Sequence, residues 1–337
     1  MKLELKNLLK RVKDICMKTK NIFVISPHHY CHSAASIIEG LNKLGGIKVF
    51  SNTDHNYCKY PIQTFKTQIQ VAKMADYVML CHSALEPKYE GRIGPLIAEL
   101  QDSIDIFLDG SDYYEYEANP KDYKLYLKRE MEKSRIVHDF DNVRSIILAA
   151  EDRYFTKSNA SHRNLWQNKT DDLACIMSAC EKRPHRFDIM ESLKDAFNNN
   201  DSVFVGEYRE GSVLTSVDTG DRHFSGYFKK LLNTRISVDA YGCGEARQTG
   251  RFWESVANGC LVMYQPIDPY VWSNTYIDEK DFIVYNNNDE LVDKAKYYMA
   301  HQEEARKIAD RGFTKLLKYH TTTARAKEFL SLIEQYL

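Results

Sequence analysis

The chain has 337 residues, 43% hydrophobic and 28% charged, a composition typical of a folded protein of about two domains. Its formal net charge of −1 excludes the strongly basic balance by which many nucleic-acid-binding proteins attract polyanions. No apolar run approaches the ~20 residues that a membrane span needs, so we expect no transmembrane segment.

Short apolar strands alternate with helical patterns along the first half of the chain. Residues 1–20 lack the apolar core of a secretory signal and are interpreted as an amphipathic helix. The predicted strands cover 21–25, 47–50, 77–81, 104–108 and 145–149, and the predicted helices 33–44, 64–74, 95–101 and 122–134. Such alternation is typical of βαβ units and a parallel sheet.

The polar stretch 156–170 lacks periodicity and is predicted to link two domains. The alternation then restarts, with predicted strands over 173–177, 202–205, 235–239, 259–264 and 281–285, and helices over 185–197, 227–232, 250–258 and 289–300. The remainder is predicted to be helical. We expect an α/β chain with domains over 1–160 and 161–320.

Eight cysteines are scattered along the chain without any Cys-x-x-Cys pair. This usage argues against a disulfide framework and against a zinc site. It predicts a reducing, cytoplasmic setting.

The segment 244–264 contains the closest grouping of candidate ligand-binding residues in the chain. Arg247, Thr249, Gly250 and Arg251 lie where a loop enters a helix, and Glu254 follows one turn later. A helix N-terminus offers unpaired N–H groups and partial positive charge, which suit a phosphate, and Glu254 suits the hydroxyls of an attached ribose. The alternative is a plain amphipathic helix with an i,i+3 surface pair.

The residues Arg251-Phe-Trp-Glu254, followed by Ala257-Asn-Gly259-Cys-Leu-Val-Met263, resemble the donor-binding helix of GT-B glycosyltransferases. The resemblance is strongest to the bacterial group-1, exostosin-like and spore-maturation-type enzymes, and it extends from about residue 234 to the C-terminus. One departure is that many group-1 enzymes carry a second Glu eight positions before the helix Glu, where this chain has Ala246.

The resemblance implies two Rossmann-like domains facing across a cleft, with the C-terminal helix, 321–337, returning to the N-terminal domain. It implies transfer of a sugar from a nucleotide-sugar, by default a UDP-sugar, without a cofactor or divalent metal. A glycan, a protein and a modified nucleobase are all open as the expected acceptor. A nucleotide-sugar 2-epimerase and a non-catalytic nucleotide-sugar-binding subunit are the alternatives.

Catalytic candidates follow predicted strands of the first domain, where open α/β sheets bind ligands. They are His28, His29 and His82, as bases titrating near neutral pH, and Asp109 and Asp112, as carboxylates that accept a proton. The alternatives are helix-capping or solvated histidines and an ordinary Asp-Gly turn.

A second candidate phosphate cradle precedes the helix predicted from residue 227. It contains Arg222, His223 and Ser225. With Arg247, these residues are predicted to compensate the charge of the leaving nucleoside diphosphate.

Overall fold

A computed structural model describes most of the chain, namely residues 20–27, 31–53, 57–129, 131, 140–155, 165–178, 181, 183–207, 225–242, 248–267 and 275–337. They form two compact units, each built around its own parallel sheet. The first unit takes residues up to 151 together with 321–337, and the second takes the described residues between 152 and 320.

The first sheet has seven parallel strands in the order β3-β2-β1-β4-β5-β6-β7. The strands are β1 (Lys20–Ile25), β2 (Ile47–Ser51), β3 (Tyr60–Pro61), β4 (Tyr77–Cys81), β5 (Ile106–Asp109), β6 (Leu125–Lys128) and β7 (Val143–Ser145). The helices of this part are α1 (His32–Leu44), α2 (Phe65–Met74) and α3 (Glu90–Leu100). The central strands are apolar at consecutive positions because both faces of the sheet are covered.

The second sheet has five parallel strands in the order β12-β11-β10-β8-β9. They are β8 (Asp171–Met177), β9 (Val203–Glu207), β10 (Thr234–Val238), β11 (Leu261–Tyr264) and β12 (Ile283–Val284). The helices are α4 (Leu165–Asn168), α5 (His185–Ala196), α6 (Ser225–Asn233), α7 (Gly250–Ala257), α8 (Asn288–Ala300) and α9 (Gln302–Tyr319). The predicted α/β class with two parallel sheets is confirmed.

The last helix, α10 (Thr322–Tyr336), belongs to the first unit and packs on α1. Its buried Ala326, Phe329 and Ile333 share a core cluster with apolar side chains of α1. The two helices approach so closely that a Cβ on Gly40 would lie 1.9 Å from the carbonyl oxygen of Thr322. The predicted return of the C-terminal helix to the N-terminal domain is confirmed.

The helix predicted over 122–134 is wrong, because the chain forms strand β6 there. Leu125, Tyr126 and Leu127 are all buried, which a strand covered on both faces requires. Lys128 is also buried, because it pairs with Asp109 on the neighbouring strand. None of the described helices is both long and apolar enough to cross a membrane.

Candidate functional site

Helix α7 begins beside the end of strand β10, at the carboxyl edge of the second sheet. Its apolar side buries Phe252 and Trp253, which pack edge-on with each other. After the C-cap Asn258, the helix ends at Gly259, whose φ of 69° is a conformation that glycine adopts without strain. Arg251 and Glu254 of α7 are only partly covered.

Asp239, which follows β10, organises the start of α7. Its Oδ1 accepts a hydrogen bond of 3.0 Å from Nε of Arg251, and its Oδ2 accepts one of 2.8 Å from Oγ1 of Thr249. Asp239 is 1% exposed, so its carboxylate is an almost fully buried partner of both side chains.

Several hydrogen-bond donors at the start of α7 have no partner among the described residues. Thr249 is the N-cap residue, yet its side chain makes no capping bond, and its hydroxyl donates to Asp239. Within the described residues, the backbone N–H groups of Gly250 and Arg251 have no hydrogen-bond partner. Only Nε of the Arg251 guanidinium is engaged there, which leaves its two terminal amino groups available. The arrangement suits an anion.

Glu254 lies one turn after Arg251 and is held by Tyr227 of α6. The Tyr227 hydroxyl donates a hydrogen bond of 2.8 Å to Oε2 of Glu254. Burial raises the pKa of Glu254 to about 7, although that hydrogen bond and the charge of Arg251 lower it. A carboxyl group with one oxygen engaged retains a second oxygen as acceptor for a hydroxyl.

Arg186, on the first turn of α5, connects the loops that follow β8 and β10. It is 1% exposed and donates to the carbonyl oxygens of Ser178 at 3.0 Å and Ala240 at 3.2 Å. It also donates to the carbonyl oxygen of Tyr241. Burial lowers the pKa of Arg186 to about 10, so the guanidinium stays charged at neutral pH. These bonds hold the segment directly after Asp239.

The other predicted donor residues are placed only in part. Ser225 begins α6, and Thr249, Gly250, Arg251 and Glu254 lie together on α7 and at its cap. Arg222, His223 and Arg247 lie outside the described residues.

In the first unit, Asp109 ends β5 and its carboxylate is fully engaged. Its Oδ2 accepts from Nζ of Lys128 at 2.9 Å and from the Tyr126 hydroxyl at 2.6 Å, and its Oδ1 accepts from the Ser111 N–H. Burial opposes its ionisation, but the charge of Lys128 and these hydrogen bonds hold the pKa of Asp109 below its usual value. The geometry is that of a buried structural ion pair.

His82 directly follows β4, and its Nδ1 accepts a hydrogen bond of 3.0 Å from the N–H of Gly110. Burial lowers the pKa of His82, so the ring is neutral near pH 7. In a neutral imidazole with Nδ1 as acceptor, the proton is on Nε2. In this arrangement His82 is a donor at Nε2.

His82 and Asp112 line one open pocket of about 430 Å³. Its other lining residues are Leu85, Glu86, Pro87, Gly110, Ser111, Tyr113 and Glu117. Asp112 forms an ion pair with Arg129 through Oδ1 and remains 36% exposed. His28 and His29 lie outside the described residues.

Three residues of the second unit, Asp239, Tyr227 and Arg186, were not among the predicted site residues. Asp239 carried a recognisable signal, because a carboxylate at the carboxyl end of a strand marks the ligand edge of a parallel sheet. Tyr227 and Arg186 carried none, because their partners lie 27 and 55 residues away along the chain.

Residues 191–331 match the family model described as glycosyl transferase-like. This match includes α7 and every described donor-site residue on it. Among curated protein sequences, no relative matches the chain.

Solved glycosyltransferases share the fold over 94% of this chain. A glycosyltransferase from Rickettsia africae ESF-5 has a TM-score of 0.57 and 12% identity, with 98% of it covered. HepE from Anabaena, in complex with UDP-glucose, has a TM-score of 0.54 and 8% identity, with 99% of it covered. An alpha-glucosyltransferase in complex with UDP-glucose and DNA containing an abasic site has a TM-score of 0.61 and 9% identity, with 99% covered. Residues 191–331 thus match a glycosyl transferase-like family model, and the chain shares the fold of solved GT-B glycosyltransferases.

Proposed function

We propose that the chain transfers a sugar from a UDP-sugar to an acceptor hydroxyl. The observation that carries the proposal is the group of uncommitted donors at the start of α7, with Glu254 one turn away. A diphosphate joined to a ribose matches this order of donors and acceptor. The UDP-glucose complexes of HepE and of the alpha-glucosyltransferase support uridine as the base.

The reaction breaks the bond between the anomeric carbon and the diphosphate oxygen and forms one to the acceptor oxygen. Negative charge develops on the leaving diphosphate, and donors fixed beforehand stabilise it without reorganising. Arg251 is such a donor, because Asp239 holds its Nε and leaves the terminal amino groups facing a ligand. Glu254 binds the ribose through the oxygen that Tyr227 does not engage.

The proposal includes transfer without a divalent cation. Arg251 and the N–H groups of Gly250 and Arg251 supply positive charge and donors for the diphosphate. Asp239, the carboxylate next to them, is committed to Arg251 and Thr249 and is not free to hold a metal.

On the acceptor side, the pocket around His82 and Asp112 is the proposed binding site. Asp112 has an unengaged oxygen that accepts the hydrogen of an acceptor hydroxyl, and His82 donates from Nε2. The proton released on transfer passes to Asp112 or to a group outside the described residues. A glycan, a protein side chain or a modified nucleobase offers such a hydroxyl.

The first experiment is a calorimetric and thermal-shift titration with UDP, GDP, dTDP, ADP and CMP. At a hundred times its dissociation constant, a bound nucleotide adds about 2.7 kcal/mol of stability. We expect UDP to bind the parent protein and binding to be lost in Glu254→Ala. Glu191→Ala, an exposed glutamate of α5, is the matched control and should bind UDP as the parent does.

Release of UDP from UDP-glucose, with and without added glycan acceptors and in the presence of EDTA, tests the reaction itself. Full activity in EDTA is expected. Activity that requires added Mg²⁺ or Mn²⁺ would contradict the proposal that transfer needs no divalent cation. Binding of UDP without turnover of any UDP-sugar would favour the binding subunit. A product that is the epimer of the donor sugar would favour the epimerase.

A further inference from the structure

Gln248, directly before the N-cap residue Thr249, carries a buried amide nitrogen that has no partner among the described residues. The residue is 7% exposed, and its Nε2 is buried without a hydrogen-bond partner among the described residues. Burying a donor that gave up its bonds to water is unfavourable, so native proteins rarely retain one without a reason.

Two further donors in the next three residues share this condition. The N–H groups of Gly250 and Arg251, in the first turn of α7, are unpaired within the described part of the chain. Three N–H donors therefore lie within four consecutive residues at the positive end of α7. A group of N–H donors at the positive end of a helix favours an anionic ligand.

We propose that Gln248 is a donor-binding residue whose Nε2 donates to a phosphate oxygen of the nucleoside diphosphate. The inference rests on the proposed function and adds a residue that the glycosyltransferase resemblance does not include. Its Nε2 has no partner within the described part of the chain and gains one when the nucleotide binds. Gln248 therefore favours binding while it destabilises the unbound state.

This double role predicts two effects of opposite sign in Gln248→Met, which keeps the length of the side chain and removes its amide. UDP affinity should fall about ten-fold, because a hydrogen bond to a charged group is lost. The melting temperature of the unliganded protein should stay unchanged or rise, because no internal partner is lost. Gln248→Glu should weaken UDP binding further, since it places a carboxylate beside the phosphates.

Gln68 is the matched control, because it is a buried glutamine whose amide is satisfied. Its Nε2 donates to the carbonyl oxygens of Asn52 at 3.1 Å and Ile62 at 2.7 Å in the first unit. Gln68→Met should lower the melting temperature and leave UDP affinity unchanged. The same Gln→Met substitution is therefore expected to lower UDP affinity but not the melting temperature at Gln248, and to lower the melting temperature but not UDP affinity at Gln68.

Isothermal titration with UDP, inorganic pyrophosphate and uridine separates the outcomes. Weakened binding of UDP and pyrophosphate in Gln248→Met, with an undiminished melting temperature, supports the proposal. Equal UDP affinity in parent and variant overturns it while leaving the proposed function intact, as does a lowered melting temperature, which reveals an internal partner. A loss for uridine but not pyrophosphate overturns the phosphate assignment. A parent protein that binds neither UDP nor pyrophosphate overturns both proposals.

Discussion

The hydroxyl of Tyr227 lies 2.8 Å from Oε2 of Glu254, which joins helix α6 to helix α7. Burial raises the pKa of Tyr227 well above its usual value, so the phenol stays protonated and donates. Burial also raises the pKa of Glu254, to about 7. The carboxyl group proposed to hold the ribose therefore titrates in the physiological range.

The first prediction is the contribution of Glu254 to the pH dependence of stability and of ligand affinity. Because its pKa is raised on folding, Glu254 contributes stability that is fully present below about pH 4.5 and lost as the pH rises through about 7. UDP-glucose affinity should move the other way and rise between pH 6 and pH 8, because the ionised carboxylate is the stronger hydroxyl acceptor. Urea unfolding and calorimetry across this range measure the two effects.

Glu254→Gln provides the control, because its amide cannot titrate. We expect both pH dependences to shrink in this variant and its stability at pH 8 to exceed that of the parent. UDP-glucose is the suitable ligand because its diphosphate is a diester without a proton to lose near neutrality. Equal pH profiles in parent and variant would contradict the assignment.

The second prediction concerns Asp239, whose carboxylate accepts hydrogen bonds from both Arg251 and Thr249. Asp239→Asn should cost about 3 kcal/mol of unfolding free energy, because it leaves the charge of Arg251 without its buried partner. It should also weaken UDP binding strongly, because Arg251 loses the carboxylate that holds its guanidinium and the Thr249 hydroxyl can then cap one N–H of α7. Chemical denaturation and UDP titration check these outcomes.

Asp172→Asn is the comparison, since Asp172 pairs with Arg235 at a distance of 2.6 Å on the same unit. That pair is partly exposed, so its loss should cost at most about 1 kcal/mol. UDP affinity should be unchanged. Normal UDP affinity in Asp239→Asn would show that UDP binding at α7 does not depend on the hydrogen bonds of Asp239 with Thr249 and Arg251.

The third prediction treats Arg186 as a positioning residue. Arg186→Met should leave the carbonyl oxygens of Ser178, Ala240 and Tyr241 without their donor and loosen the segment after Asp239. We expect faster hydrogen exchange at residues 240–242 and a higher KM for UDP-glucose, with kcat less affected. Arg186→Lys, which keeps the charge, should recover part of the change.

Arg144→Met serves as the control for loss of an arginine, because Arg144 lies over the ring of Tyr336 in the first unit. It should leave exchange at 240–242 and the KM for UDP-glucose unchanged. If Arg186→Met lowers only global stability, with exchange and KM unaffected, the residue has no positioning role.

The fourth prediction compares two helical glycines of the first unit. Gly40→Ala should destabilise the protein by about 1–3 kcal/mol, because the new methyl group would overlap the backbone of Thr322 and force α1 and α10 apart. Gly91→Ala in α3 meets no atom within 4 Å and should stabilise by about 0.5–1 kcal/mol through helix propensity. Urea unfolding of both variants gives the two signs, and equal signs would contradict the close packing of α10.

Sequence patterns predicted the elements whose signal is local. The apolar runs of β1 and β8 and the periodicity of α7 follow from residues a few positions apart, and the parallel sheets follow from their alternation. The pattern over 122–134 misled, because Lys128 and Arg129 favour an exposed helix when read locally. In the structure Lys128 is buried, since Asp109 compensates its charge across two neighbouring strands.

The sequence by itself determined that Arg251 and Glu254 share one helix, because residues three apart lie on the same side of an α-helix. It also determined that this helix follows a loop suited to phosphate. Only the tertiary structure decided which donors remain free, because that depends on Asp239 engaging both Thr249 and Arg251. It also decided the partners of Glu254 and Arg186, since contacts between distant segments arise from packing and burial and not from spacing along the chain.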